Sequence, residues 1–259
     1  MFLDTHCHLD APEFDPDRDD VVARATAAGV STMVVPAITR ATFDATLAMR
    51  TQYGCPVALG LHPIYERTHR EEDILALRTA IGHERPIAVG EIGLDFFVEG
   101  LDAERQTWLF AEQLRLARDF DLPVILHVRK SQDQVLKQLR RFGIRRGIAH
   151  AFNGSPQQAA AYLEQGLKLG FGGAMTYERA LNIRRLATDL PLDALVLETD
   201  APDIAPAWAY KARNEPGYLP RIAATLAELR QLPIETIARA TALNACAALG
   251  LPDVPPPLG

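Results

Sequence analysis

Short apolar runs rich in β-forming residues alternate with longer stretches of helical periodicity along this whole chain. That alternation restricts the fold to parallel strands joined by helices. The apolar runs fall at residues 2–6, 32–36, 57–61, 87–92, 124–127, 147–150, 167–173 and 194–198, and segments such as 17–29, 105–120 and 131–142 carry apolar residues at helical spacing. Eight such units in 259 residues predict a (β/α)8 TIM barrel rather than an open doubly wound sheet. No gap in the alternation marks a boundary, so residues 1–259 read as one domain, ending in a helical pair over 220–249 and a short proline-rich tail at 252–259.

Composition narrows the partners. With 27 Lys+Arg against 33 Asp+Glu the formal net charge is −6, which disfavours sequence-independent wrapping of nucleic acid or adhesion to an anionic membrane but leaves room for a local basic pocket. Cys7, Cys55 and Cys246 are odd in number, far apart and free of C-x-x-C spacing, so neither a disulfide framework nor a thiolate zinc site is expected, and a reducing cytoplasm fits best. No stretch approaches the roughly 18 apolar residues of a membrane span, and no secretory leader is expected at the amino terminus.

The unusual residues fall at strand ends. Of seven histidines, His6, His8, His62, His127 and His150 lie at or just after the carboxyl ends of expected strands, the face on which barrel active sites sit. Glu91 and Asp200 join them there, and Glu91 interrupts an apolar run in which an unpaired charge would be costly. Alternation along a strand sends His6 and His8 to one side and Cys7 to the other, so both imidazoles can reach one cation. Six of these groups suit two divalent ions: His6, His8 and Asp200 around one, His127 and His150 around the other, with Glu91 bridging. Two ions about 3.5 to 4 Å apart can hold a hydroxide between them and brace attacking and leaving oxygens. Imidazole and carboxylate donors admit Zn, Mn or Mg and do not fix the metal.

The segments Asp4-Thr5-His6-Cys7-His8-Leu9-Asp10, Gly60-Leu61-His62-Pro63, Gly90-Glu91-Ile92-Gly93-Leu94-Asp95 and Glu198-Thr199-Asp200-Ala201-Pro202 resemble the TatD family of metal-dependent deoxyribonucleases. The resemblance continues through Pro123 to His127, Gly147 to Ser155 and Arg213-Asn214-Glu215-Pro216, and so covers nearly the whole chain. It implies a barrel hydrolase of the amidohydrolase-like superfamily that cleaves DNA from the 3′ end with divalent metal ions. Val128 and the pair Ala151 and Asn153 depart from the family's usual residues, the latter two in a loop expected to meet substrate.

Within that frame Asp200 would take or orient the proton of the attacking water, while Glu91 holds the metals. His62 would contact a substrate phosphate or protonate the leaving oxygen, and Arg129 can grip a phosphate through two hydrogen bonds or instead pair with Asp133. Asp95 and Asp10 can orient ligand histidines or start the following helices, and Glu198 can accept a hydrogen bond behind the ligands. Gly172 and Gly173 leave room for substrate or neighbouring backbone. His69 and His83 have no ligand company and receive no role. A rival reading keeps the site and changes the substrate to an ester, lactone or amide; the carboxylated lysine commonest in such enzymes has no evident counterpart, since only four lysines occur and Glu91 already supplies the anion. A metal-stabilised binding scaffold is disfavoured because the ligands sit at an open mouth. The expected partner is therefore DNA, as a single strand or 3′ end, with no membrane.

Overall fold

A computed structural model describes residues 1–252, so nearly all of the tail expected at 252–259 lies outside the described residues. The order is β1 (Phe2–Asp4), α1 (Arg18–Ala27), β2 (Val30–Met33), β3 (Val35–Pro36), α2 (Phe43–Tyr53), β4 (Val57–Leu59), α3 (Glu71–Glu84), β5 (Ala88–Asp95), α4 (Ala103–Asp119), β6 (Val124–Arg129), α5 (Gln132–Phe142), β7 (Gly147–Ala149), α6 (Pro156–Glu164), β8 (Leu167–Phe171), α7 (Leu181–Asp189), β9 (Leu195–Leu197), α8 (Leu219–Arg230) and α9 (Ile234–Leu249). Strands β3 to β9 form a seven-stranded parallel sheet in sequence order that curls on itself, and β1 pairs in parallel with β2.

The second expected strand is split at Val34. Its first half pairs with β1 and its second with β4, while Val34 itself donates to Asp4 C=O and accepts from Cys7 N–H. At the other margin Thr5 N–H donates to Leu197 C=O at 3.0 Å, so the residues after β1 also reach β9.

Alternation along the strands sorts the core into two layers. Leu3, Val34, Ala58, Ala88, Ile125, Ile148 and Val196 meet on the inner side and pack against Ala242, Ala245, Cys246 and Leu249 of α9, which covers the floor. The opposite positions, such as Val35, Leu59, Val89, Leu126 and Leu169, pack outward against the helices. With α9 at one end, the carboxyl ends of the strands are left to form the site.

Helix α4 shows how a helix positions that end. Asp102 caps it by accepting the N–H groups of Glu104 and Arg105, and its buried stripe includes Leu109, Phe110, Leu114 and Ala117. Two glutamines share the stripe. Gln113 accepts Leu61 N–H at 2.7 Å and donates to Leu61 C=O, and Gln106 does the same for Asp95 at 2.8 and 2.9 Å. Both clamp backbone beside the site, one residue before His62 and at Asp95, the last residue of β5.

Candidate active site

Glu91 owes its position to an irregularity in β5. From Val89 to Ile92 the strand advances three residues while its partner advances two, from Val124 to Leu126, so Gly90 and Glu91 bulge out of register. Only glycine fits before it, because a Cβ at Gly90 would lie 2.6 Å from Ile125 Cβ. The bulge turns a buried carboxylate into the centre of the strand ends.

Five imidazoles surround that carboxylate. Oε1 lies 3.1 Å from His62 Nε2, 3.0 Å from His127 Nδ1 and 3.5 Å from His150 Nε2; Oε2 lies 3.1 Å from His6 Nε2 and 3.5 Å from His8 Nε2. Asp200 Oδ1 closes the group, 3.5 Å from His6 and 3.7 Å from His8. The side chains of His6 and His8 meet at 3.2 Å through their Nε2 atoms, while Cys7 turns into the core. Asp200 holds its place with φ +58, a left-handed conformation that aspartate tolerates, and its N–H donates to His6 C=O. Potential ligand atoms gather within 4.8 Å in three sets: His6 with His8 and Asp200, His6 with Glu91 and His150, and His62 with Glu91 and His127. Glu91 takes part in the second and third sets, its Oε1 facing the rings of His62, His127 and His150.

Charge is unevenly shared in this array. Burial opposes ionisation of Glu91, yet the surrounding His62, His6 and His150 and the hydrogen bond from His127 hold it well below the usual carboxylate range. Burial drives His6 well below an ordinary histidine and His62 down to about 4. For His8 burial is outweighed by the hydrogen bond to Glu91 and the charges of Glu91 and Asp200, lifting it to about 9; for His150 burial is outweighed by Asp200, Glu198 and Glu91, lifting it to about 10. Burial raises Asp200 to about 6. The cluster therefore draws positive charge into its centre.

Behind the imidazoles stand further acceptors. Asp95 Oδ2 lies 2.9 Å from His127 Nε2 while its Oδ1 accepts the N–H groups of Phe97 and Val98. Glu198 Oε1 accepts Ala151 N–H at 2.6 Å and lies 3.4 Å from His150 Nδ1. A Cβ at Gly170 would meet Glu198 Oε2 at 2.1 Å, so glycine there makes room for the acid. The room at Gly172 and Gly173 is likewise taken by backbone, Glu198 C=O and Ile204 C=O. Asp10 accepts the Thr46 hydroxyl at 2.5 Å and does not touch a ligand ring. His69 carries a function that its sequence setting hides: buried, it donates through Nε2 to His62 C=O at 2.9 Å. The signal available was its place seven residues after His62 in the same loop.

The cluster forms the floor of an open cavity of about 960 Å³ whose wall includes Tyr65, Phe97, Arg129, Lys130 and Asn153. Arg129 does not pair with Asp133. Its guanidinium lies 3.9 Å from the centroid of the exposed Phe97 ring and 3.9 Å from Asp95 Oδ2. His62 has both nitrogens engaged, Nδ1 accepting Ile64 N–H at 3.1 Å and Nε2 facing Glu91, so its proton sits on Nε2.

Residues 3–250 match the family model described as TatD related DNase. The chain belongs to the TatD family. Among its TatD relatives, the metal-dependent hydrolase YjjV of Escherichia coli K12, named as uncharacterized, is 42% identical over 97% of this chain and 98% of its own. The crystal structure of that TatD homologue superposes with a TM-score of 0.93, at 41% identity and with 97% and 98% of the two chains covered. The 3′-5′ ssDNA/RNA exonuclease TatD of Cronobacter sakazakii is 36% identical, covering 88% of this chain and 90% of its own. The protein is thus a metal-dependent hydrolase by family, and among the described residues no helix is long and apolar enough to cross a membrane.

Proposed function

We propose that this TatD-family protein is a metal-dependent phosphodiesterase that removes nucleotides from the 3′ end of single-stranded DNA. The strands and their hydrogen-bonded joints at Val34 and Thr5 are read as one closed (β/α)8 barrel, within a single domain. The observation that carries the functional reading is the placement of Glu91 and Asp200 among five imidazoles at the floor of a cavity whose wall bears Arg129 and Lys130.

The residues fit divalent cations. Two imidazole nitrogens 3.2 Å apart, both beside Glu91 Oε2 and Asp200 Oδ1, suit a cation shared between them. His6, His8, Glu91, His127, His150 and Asp200 would hold two such ions, of a metal that nitrogen and oxygen donors accept, Zn, Mn or Mg. Such ions would supply Lewis-acid charge against phosphoryl oxygens and lower the pKa of a nearby water.

The chain's own residues do the rest. Arg129, held flat on Phe97, offers its guanidinium edge to a phosphate, and Lys130 adds a point charge beside it. Asp200, at the edge of the cluster and facing the cavity, would take or orient the proton of the attacking water on its carboxylate. His62 carries its single proton on Nε2, from which it can donate a hydrogen bond to a phosphate oxygen. The buried free thiols Cys7 and Cys55 support work in a reducing cytoplasm.

Digestion of a single-stranded oligonucleotide labelled at one end or the other tests this reading. A 5′-labelled strand should shorten stepwise with added metal and stop in chelator, while a 3′ label is released at once. Intact strands with every divalent metal tried, alongside efficient hydrolysis of an uncharged ester, would replace the nuclease by a carbonyl hydrolase.

A further inference from the structure

The cavity above Glu91 does not end at its rim. Past Ala174 and the segment Pro202, Asp203 and Ile204, which line both spaces, it continues into a second depression of about 600 Å³ walled by Tyr177, Tyr210 and Lys211. This depression has a built wall. Tyr177 is anchored by its hydroxyl, which donates to Ala205 C=O at 2.9 Å, and its ring stands edge-on to Tyr210 at 6.4 Å between centroids.

Tyr210 is 67% exposed, unusual for so large a ring, and Lys211 places its ammonium 5.4 Å from that ring's centroid. Among the described residues Lys211 makes no ion pair, so its charge is unspent. An exposed aromatic ring with a cation close to it matches a base and the phosphate next to it. Asp203, exposed on the divide, offers an acceptor for amino groups of a base and repels phosphate from the divide itself.

We infer that this depression is a second nucleotide subsite, in which Tyr210 stacks a base and Lys211 holds a phosphate of the strand lying 5′ to the bond being cut. The inference rests on the single-strand nuclease reading above. It adds a specificity for length: a strand that reaches from the Glu91 floor over the divide gains contacts that a two-nucleotide fragment cannot make. The Phe97 and Arg129 pair grips the terminal nucleotide, and Tyr210 and Lys211 hold the body of the strand.

The test compares kcat/KM on a ten-nucleotide single strand with kcat/KM on a dinucleotide for wild type, Tyr210→Ala, Tyr210→Phe and Lys211→Ala. Loss of a stacking ring should lower the ratio of long to short substrate about tenfold, chiefly through KM on the long strand. Tyr210→Phe should restore it, because the ring and not the hydroxyl makes the contact. Lys211→Ala should lower the ratio and weaken its dependence on salt. If wild type cleaves the long strand and Tyr210→Ala leaves the ratio unchanged, or Tyr210→Phe is as impaired as Tyr210→Ala, the subsite is wrong and the nuclease reading stands. If wild type cleaves neither substrate, both fall together.

Discussion

His127 Nε2 lies 2.9 Å from Asp95 Oδ2, on the ring edge opposite the one that faces Glu91. Burial works against ionisation of Asp95, but the hydrogen bonds from His127 and from the N–H groups of Val98 and Phe97 prevail and hold it at about 2. A permanent carboxylate there holds a His127 proton on Nε2 and aims Nδ1 at the cluster. Asp95→Asn should therefore weaken divalent-ion affinity about 10- to 100-fold, measured by competition with a calibrated chelator. Unchanged affinity would show that Asp95 does not support a ligand.

Arg129 and Asp95 meet the same loop from two sides, since Phe97 donates its N–H to Asp95 and its ring to Arg129. Arg129→Ala should lower kcat/KM on an oligonucleotide about 10- to 100-fold, the loss expected for a hydrogen bond to a charged group. Metal content should not change. An equal loss on an uncharged ester would mean that the guanidinium does not serve a phosphate.

Gln106 closes a buried pair of backbone groups that no strand reaches. Gln106→Leu fits the apolar stripe of α4 yet strips Asp95 of partners for its N–H and C=O, at a cost of about 1–3 kcal/mol per unsatisfied group. Urea unfolding monitored by circular dichroism should show the loss. A variant as stable as wild type would mean that other groups satisfy that backbone.

Much of this was readable from the chain. Short apolar runs located the strand ends, and the rarity of a buried carboxylate in an apolar run singled out Glu91. The split at Val34 was hidden, because residues 32–36 read as one run and only hydrogen bonding to Asp4, Cys7 and the β4 side separates its halves. Long-range partners were hidden too. Asp133 is close to Arg129 in sequence but pairs with Gln158, while Phe97 arrives from the neighbouring strand's loop. Two glutamines on an otherwise apolar helix face were the one visible trace of the clamps at Leu61 and Asp95.

Asp17 joins α1 to the loop after β9 through Arg213, with Arg24 beside it. The Arg213 hydrogen bond, against a smaller desolvation effect, lowers Asp17 to about 2. In the unfolded chain the group titrates near 3.9. A depressed folded value means that the contribution to stability is complete above about pH 4 and is lost as pH falls through about 2. Asp17→Asn should thus lower Tm at pH 7 and leave it close to wild type near pH 2. A Tm difference that stays constant across that range would contradict the assignment.

Glu91 is the one residue on which every part of the account depends, since five imidazoles face its two oxygens. The most direct measurement is metal content by mass spectrometry after saturation with zinc or manganese and gel filtration, for wild type and Glu91→Ala, with circular dichroism to verify folding. Wild type should retain about two ions per chain and a folded Glu91→Ala fewer than about one. A wild-type protein that retains none, or a variant that retains as many as wild type, would contradict a metal centre built around Glu91.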